Sequence, residues 1–370
     1  MNLEIKRWLP LGVMVLCTFY ACNRIPEFRD GILVEEFVYE KASFPSCHAA
    51  TIAETPAGLV TAFFGGTHER HPDVCIYVCH KGENGWSAPV EAANGVINDT
   101  LRYPTWNPVL YQVPGGELLL FYKVGPSPSA WWGVMKRSKD AGISWMDAEP
   151  LPEGYIGPVK NKPVLLKDGT LLCPSSTEDQ GWWIHFEYTR DSGHTWSRSA
   201  PINDHEIYSA IQPSILIHRS GKLQLLGRSK NSVVVTSWSE DNGKNWSLLE
   251  GSGLPNNNSG IDAVTLKDGR HLVVYNHAGN QPGSSNGPRT PLNVSVSGDG
   301  IHWNAALVLE DSESGEYSYP SVIQSSDGLV HIVYTWRREK VKYVKIDPAQ
   351  LKTKPIKDEQ WPGRNIRGSN

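Results

Sequence analysis

The sequence predicts an all-β chain closed into a six-bladed β-propeller of four-stranded antiparallel blades. Three observations predict it. A turn of the form S/T-x-D-x-G-x-x-W recurs at 138–145 (SKDAGISW), 189–196 (TRDSGHTW) and 239–246 (SEDNGKNW), and one residue shorter at 297–303 (SGDGIHW). Its aspartates, Asp140, Asp191, Asp241 and Asp299, stand roughly fifty residues apart, enough for one four-stranded blade. Between the turns run short apolar segments with no long helical period. In each turn the Asp accepts hydrogen bonds from its own backbone, the Gly takes the left-handed position, and the Trp returns to pack on the sheet.

Taken in order, residues 32–39 (ILVEEFVY) read as a lone strand that pairs with the last blade and closes the ring, which removes exposed sheet edges. The first unit has strands near 51–53, 59–64 and 75–79, and Gly85-Trp86 keeps the turn position without its Asp. The second has 109–111, 118–122 and 132–136; the third 163–166, 170–173 and 182–188; the fourth 213–217, 223–226 and 233–238. The fifth has 263–266, 271–275 and 292–296, interrupted by a Gly/Pro/Asn-rich rim loop at 276–290. The sixth has 320–323, 329–334 and 342–346. The boundaries that follow are 1–21 for an export signal, 22–43 for the start and closing strand, 44–348 for the propeller and 349–370 for a polar tail, disordered at its end.

A formal charge of -4, from 35 Lys+Arg and 39 Asp+Glu, with no basic block, argues against nucleic acid as a partner. Fourteen Trp and fourteen Tyr exceed what blade cores alone require and leave aromatic faces for stacking on sugars. The positive start ending at Lys6 and Arg7, followed by an apolar run of about 13 residues, suits a secretion signal and is too short to span a bilayer comfortably. Phe19-Tyr20-Ala21-Cys22 resembles the lipobox of bacterial lipoproteins, with Phe where Leu is usual. Cys22 is therefore the expected lipidation site, tethering an exported domain to a membrane; an ordinary signal peptide with an incidental Cys is the alternative. Cys75 and Cys79 lie ~13 Å apart on an extended strand and cannot bridge each other. With Cys47 and Cys173 they read as buried free thiols. No zinc pattern and no cofactor motif is present.

The repeated turns resemble the BNR/Asp-box repeats of the sialidase superfamily, and FPSCHAATIAE, FFGG, HPD and SGIDAVTLKDGRHLVVYNH look like proteins labelled sialidase-like. The resemblance implies three arginines for a substrate carboxylate, an Asp acid/base and a Tyr nucleophile activated by Glu. Arg228 and Arg289 approximate the second and third arginines, or are rim charges. The place of the first, around Phe44-Pro45-Ser46-Cys47-His48, holds no arginine, and Arg24-Ile25-Pro26 spells the usual run too early in the chain. Asp73 matches the acid/base region, Glu69 competes with it, and a simple turn Asp is the alternative. Tyr317 matches the nucleophile region, although strand alternation aims its neighbour Glu316 the opposite way. Gln212 stands at a suggestive position in the fourth unit but cannot act as a base. Asn107, Lys160 and Asp262 add polar groups at other unit starts. The Asp-box acids are structural.

His48 departs from that pattern. Imidazole exchanges protons near neutral pH, and some enzymes of this fold that remove rhamnose capping glucuronic acid rely on a histidine; a packed, hydrogen-bonded histidine is the alternative. The leading expectation is an exported, sialidase-like, exo-acting hydrolase releasing a terminal sugar from an acidic glycan. Its rivals are histidine-dependent cleavage of a rhamnose–glucuronate linkage, by hydrolysis or elimination, and a non-catalytic glycan-binding lipoprotein. Mass spectrometry of the native N-terminus checks the anchor: lipidated Cys22 is the expected first residue, and an unmodified start elsewhere refutes it.

Overall fold

A computed structural model describes residues 28–363. The signal, Cys22 and the Arg24-Ile25-Pro26 run lie outside the described residues. Six small antiparallel sheets form the ring. The innermost strands are Ser46–Thr55, Thr105–Gln112, Val164–Leu165, Ala210–Ile217, Asp262–Thr265 and Tyr317–Gln324, in blades 1 to 6. The inner strand of blade 1 touches those of blades 2 and 6, so the circle is shut. Closure uses the N-terminal strand Ile32–Phe37, which pairs antiparallel with Lys340–Ile346 as the outermost strand of blade 6. Because that strand comes from the other end of the chain, blade 6 has no hairpin in which a repeat turn could sit.

The repeat turn joins blades. In blade 4, Asp241 accepts from Ser239 Oγ at 2.9 Å and from the Asn245 backbone N–H at 2.9 Å, while Gly243 N–H donates to Ser239 Oγ. The Asn245 bonds lead the set that pushes the Asp241 carboxyl down to about 2. This closed loop aims Trp246 back onto the preceding blade, where it stacks on Phe186 at 4.5 Å. Trp196 meets Phe121 of blade 2, and Trp303 is buried with Leu216 and Leu226 of blade 4. Trp86 of blade 1, which has lost its Asp, still contacts Tyr343 of blade 6. Each such ring removes large apolar area from water and contributes about 2–3 kcal/mol to the blade interface. Gly243 is required there: its φ is +79°, and a Cβ would stand 3.2 Å from Leu172 of blade 3.

The polar tail is packed further than its composition suggests. Lys354–Pro355 adds a fifth strand to blade 5, and Trp361, 2% exposed, meets Phe28 edge-on at 5.4 Å. Those two rings cover the outer edge of blade 5 together with Ala305 and Val308. Cys47, Cys75, Cys79 and Cys173 are buried free thiols.

Blades 4 and 5 are also joined by touching imidazoles. His271 Nε2 lies 3.1 Å from His218 Nδ1, and the chain continues to Thr265 at one end and Gln224 at the other. One proton serves the shared contact, and a second would place two cations side by side. Burial, then the His218 charge, pushes His271 down to about 4, and burial also lowers His218. The unfolded chain therefore binds protons that the folded pair refuses. The pair's contribution is complete above the ordinary value of 6.5 and is lost as pH falls toward 4. Thermal melts should show that loss across this window, and His271→Gln should flatten the slope; an unchanged slope in the variant would count against the pair.

Candidate active site

The site lies at the end of the channel opposite the repeat turns, and a recurrent backbone irregularity builds it. The inner strands of blades 1, 2, 4 and 6 all break register near their start, after His48, Trp106, Ile211 and Ser318. At each break a non-glycine residue takes positive φ: Ala49 at 55°, Asn107 at 39°, Gln212 at 54° and Tyr319 at 53°. In three of the four the next residue is proline, Pro108, Pro213 or Pro320, which has no N–H to give the ladder. Such a bulge re-aims its side chain. Gln212 and Tyr319 consequently both reach Arg228.

Arg228 Nη1 donates to Tyr319 Oη at 2.6 Å and to Gln212 Oε1 at 3.3 Å. Its other nitrogens donate to Asn258, including the backbone oxygen at 2.7 Å. All these partners are neutral, so a buried guanidinium stands here with no carboxylate in hydrogen-bond contact among the described residues. Trp182 lies under it, ring centre 5.1 Å away. Arg289 and Arg338 are paired: both donate to Glu316 Oε1, at 2.9 and 2.8 Å, and Arg338 also binds Glu69 at 2.5 Å. Arg338 comes from the three-residue connection 337–339 of the blade 6 hairpin, where Arg337 and Arg338 have φ of 53° and 58°. Positive φ normally selects Gly or Asn, so the turn is held in place by the ion pairs its arginine makes.

Tyr319 is the centre of the group. Its ring is 4.2 Å from His48, and the Arg228, Arg289 and Lys160 cations lie 5.6, 5.6 and 5.8 Å from its centroid. His48 is buried, with Nδ1 2.9 Å from Thr335 Oγ1. Burial, then the charges of Arg338, Arg289, Arg228 and Lys160, hold its pKa well below the ordinary value. Its imidazole is therefore neutral at physiological pH, and the same burial and cations disfavour its taking up a proton. Glu178, on the blade 3 loop before Trp182, is the complementary group. Burial raises its carboxyl above the usual range against the lowering effects of Arg228 and Lys230, and neighbouring Glu69 adds to the rise.

Other residues singled out from sequence fall elsewhere. Tyr317 is corrected: it is 2% exposed in the core between blades 5 and 6, against Trp336. Alternation operates as expected along that strand, but it sends Glu316 and Ser318 to the arginines and Tyr317 away. Asp73 closes its own loop, accepting from Thr67 N–H at 3.0 Å, Thr67 Oγ1 at 2.6 Å and His71. Burial alone would raise its carboxyl, but these bonds outweigh it and leave the pKa lowered, the wrong direction for a stored proton. Glu69 is in the site as the partner of Arg338. Lys160 is a strut whose three donors go to Asn161 Oδ1, Ile261 O and Pro320 O at 2.9, 2.8 and 2.6 Å. Asp262 is equally occupied, by Lys162, Ser214 and the Val322 N–H, all at 2.8 Å. Neither has polar capacity left for a substrate. Asn107 does: among the described residues its side-chain amide makes no hydrogen bond. Asp140, Asp191, Asp241 and Asp299 hold turns at the other end.

Sequence reading missed Tyr319, Arg338 and Glu178. Aligning the residues that precede proline at the start of each unit (Asn107, Gln212, Tyr319) points to Tyr319. The two arginines in a hairpin turn were a weaker signal, and Glu178 had none. Among the described residues no set of three or more His, Cys, Asp or Glu gathers as a metal site.

The BNR repeat-like domain family matches residues 57–332. The chain belongs to that family. No curated protein matches it. Among solved structures, a protein of unknown function from Dyadobacter fermentans superposes with a TM-score of 0.70 at 17% identity, over 86% of this chain and 99% of that one. The intramolecular trans-sialidase of Ruminococcus gnavus gives 0.68 at 14%, over 87% and 99%. The NanB sialidase of Streptococcus pneumoniae gives 0.66 at 14%, over 86% and 71%. This BNR repeat-like chain thus shares its propeller fold with these sialidases. At these identities the likeness is one of fold. For the site itself, carbon-detected NMR of labelled histidine should show the His48 ring neutral at pH 7 and titrating below 6.5; a protonated ring at pH 7 would contradict the buried, cation-flanked environment.

Proposed function

We propose that the protein is an exported, lipid-anchored glycosidase that removes a terminal, carboxylate-bearing sugar from a glycan. The observation that supports it most is the contact of Arg228 with the Tyr319 phenol, beside a guanidinium pair and within the charge field of Glu178, whose proton affinity burial raises. In this reading the sugar carboxylate meets Arg228, whose neutral partners leave its charge uncompensated. Tyr319 attacks the anomeric carbon and Glu178 protonates the departing oxygen, a role suited to a raised pKa. The phenol's proton passes to solvent as the bond forms and is regained when the phenol leaves, since Gln212 cannot take it and burial and four cations make His48 a weak acceptor. Arg228 stabilises charge on the phenol oxygen as the bond forms. Glu178, now ionised, draws a proton from the water that releases the glycosyl group from Tyr319.

A second reading is favoured by the state of His48. In it the unprotonated His48 removes the C5 proton of a uronate whose carboxylate Arg228 neutralises and the C4 oxygen leaves, giving elimination, with the incoming carboxylate offsetting part of the cationic field that weakens the imidazole. One assay separates the two. The purified protein is offered sialosides and rhamnose-capped glucuronides, and products are weighed: hydrolysis adds water, whereas elimination leaves an unsaturated uronate that absorbs in the ultraviolet. On the substrate found, Tyr319→Phe and Glu178→Gln should each lower kcat by roughly 10²–10⁴, and Tyr317→Phe should stay near the parent. Full turnover by the Tyr319 and Glu178 variants would refute the glycosidase assignment, and loss confined to His48→Ala with an unsaturated product would favour elimination.

A further inference from the structure

The repeat turns of blades 3 and 4 leave a cavity of about 500 Å³ between them, at the end of the propeller away from Arg228 and Tyr319. Two rings and three cations line it: Tyr188 and Trp196, with Arg190, Arg198 and Lys244. Among the described residues Asp168 is the one carboxylate in its wall, and Arg190 Nη2 already donates to it at 2.7 Å. Arg198 donates to the Gly154 carbonyl alone, and the Lys244 ammonium meets no acceptor among the described residues. Two positive charges from different blades thus converge on the cavity without a carboxylate to meet them. The rings are held in place by their polar atoms. Tyr188 Oη donates to Gly243 O at 2.8 Å and Trp196 Nε1 to Gly193 O at 2.9 Å. Both rings stay half-buried, with carbon surface turned to the cavity. The Ser197 hydroxyl and the Asn242 amide, also in the wall, make no side-chain hydrogen bond among the described residues.

The construction of a repeat does not call for these cations. The residue two after the turn Trp is Arg198 in blade 3, and Asp147, Leu248 and Ala305 in the other three copies. The residue after the turn Gly is Lys244 in blade 4, and Ile143, His194 and Ile301 elsewhere. The turns close with every one of these, through the Asp and the Ser or Thr that begins the motif. Blade geometry therefore leaves Arg198 and Lys244 unselected, and what they share is the cavity. Like charges brought toward one cavity repel, at a cost that an incoming anion removes.

We propose that this cavity is a second, non-catalytic glycan site that takes an acidic sugar, with its ring against Trp196 and Tyr188 and its anionic group between Arg198 and Lys244. Indole and phenol faces match the C–H face of a pyranose. A guanidinium and an ammonium without carboxylate partners match a carboxylate or a sulfate, and Ser197 and Asn242 are free for the ring hydroxyls. The site rests on the glycosidase reading only for the expectation that the glycan is acidic, since binding there cuts no bond. Its use is to keep a polymeric glycan on the protein between cuts, which raises the local concentration of ends for the active site.

The test follows the Trp196 indole N–H by NMR while a glucuronate-terminated disaccharide, its methyl ester, a sulfated disaccharide and inorganic phosphate are each added. At least one of the two acidic disaccharides should shift the Trp196 signal, and which of them does so identifies the anion as carboxylate or sulfate. The neutral ester should not. Arg198→Ala and Lys244→Ala, both exposed positions, should each weaken the binding about tenfold, the scale of one charged hydrogen bond, and Arg228→Ala should leave it as it is. Turnover of a short substrate should be unchanged in the Arg198 and Lys244 variants. An equal response to the methyl ester, phosphate binding as tightly as the acidic sugars, a response lost with Arg228→Ala, or no response at all would overturn the proposal. Turnover of an acidic glycan with a silent Trp196 ends the second site and leaves the glycosidase reading standing; a Trp196 response in a protein that cleaves no glycan does the reverse.

Discussion

A knot of buried polar groups on the propeller axis holds the site together. Lys160 donates to carbonyls of blades 5 and 6, the Asn161 amide donates to Gln212 O of blade 4, and Asp262 accepts from blades 3, 4 and 6. Two of the carbonyls it serves, Gln212 O and Pro320 O, belong to bulges, where the sheet ladder has let go of its partners. A buried carbonyl must find a donor, and here the donors come from a neighbouring blade. The knot thus makes the bulges tenable, and the bulges aim Gln212 and Tyr319. Burial lowers the Lys160 pKa to about 7, against the raising effect of Asp262.

This arrangement separates mechanical from chemical charge. Lys160, Lys162 and Asp262 are saturated by protein partners and serve the ring. Arg289 and Arg338 share Glu316, and Glu69 takes the other side of Arg338. Arg228 is set apart because its hydrogen-bond partners among the described residues are all neutral. The three-arginine arrangement that the sequence resemblance implied differs from what the structure places here. His48 stands on the strand of blade 1 where an arginine was expected, and a guanidinium arrives instead from the blade 6 hairpin, whose Arg338 carbonyl accepts the Cys47 N–H at 2.8 Å. The neutral state of His48 follows from that exchange, since an imidazolium there would add to the surrounding positive charges.

Much of the fold was legible in the sequence because its signals are local. An Asp, a Gly and a Trp at fixed offsets make a turn whose hydrogen bonds close within eight residues, and four copies at blade spacing imply a ring. The packed tail was not legible: 349–363 is mostly polar, and only the partner at the far end of the chain, Phe28, explains why Trp361 is buried. The site was legible in part. Arg228, Arg289, His48, Gln212 and Glu69 lie in it, whereas Tyr317, Asp73, Lys160 and Asp262 do not offer substrate a free group.

The sequence by itself determined the class of fold, the number of blades and the structural role of the Asp-box acids, since each rests on contacts between residues near in the chain. Only the tertiary structure decided between Tyr317 and Tyr319, because a single register break in the sheet exchanges which of two tyrosines faces the core. It alone revealed Glu178 and Arg338 as site residues, because proton affinity and ion pairing depend on burial and on charges contributed by blades far apart in sequence. Strand periodicity carries which face a side chain takes, but not where that periodicity is broken, and in this protein the breaks are where the chemistry gathers.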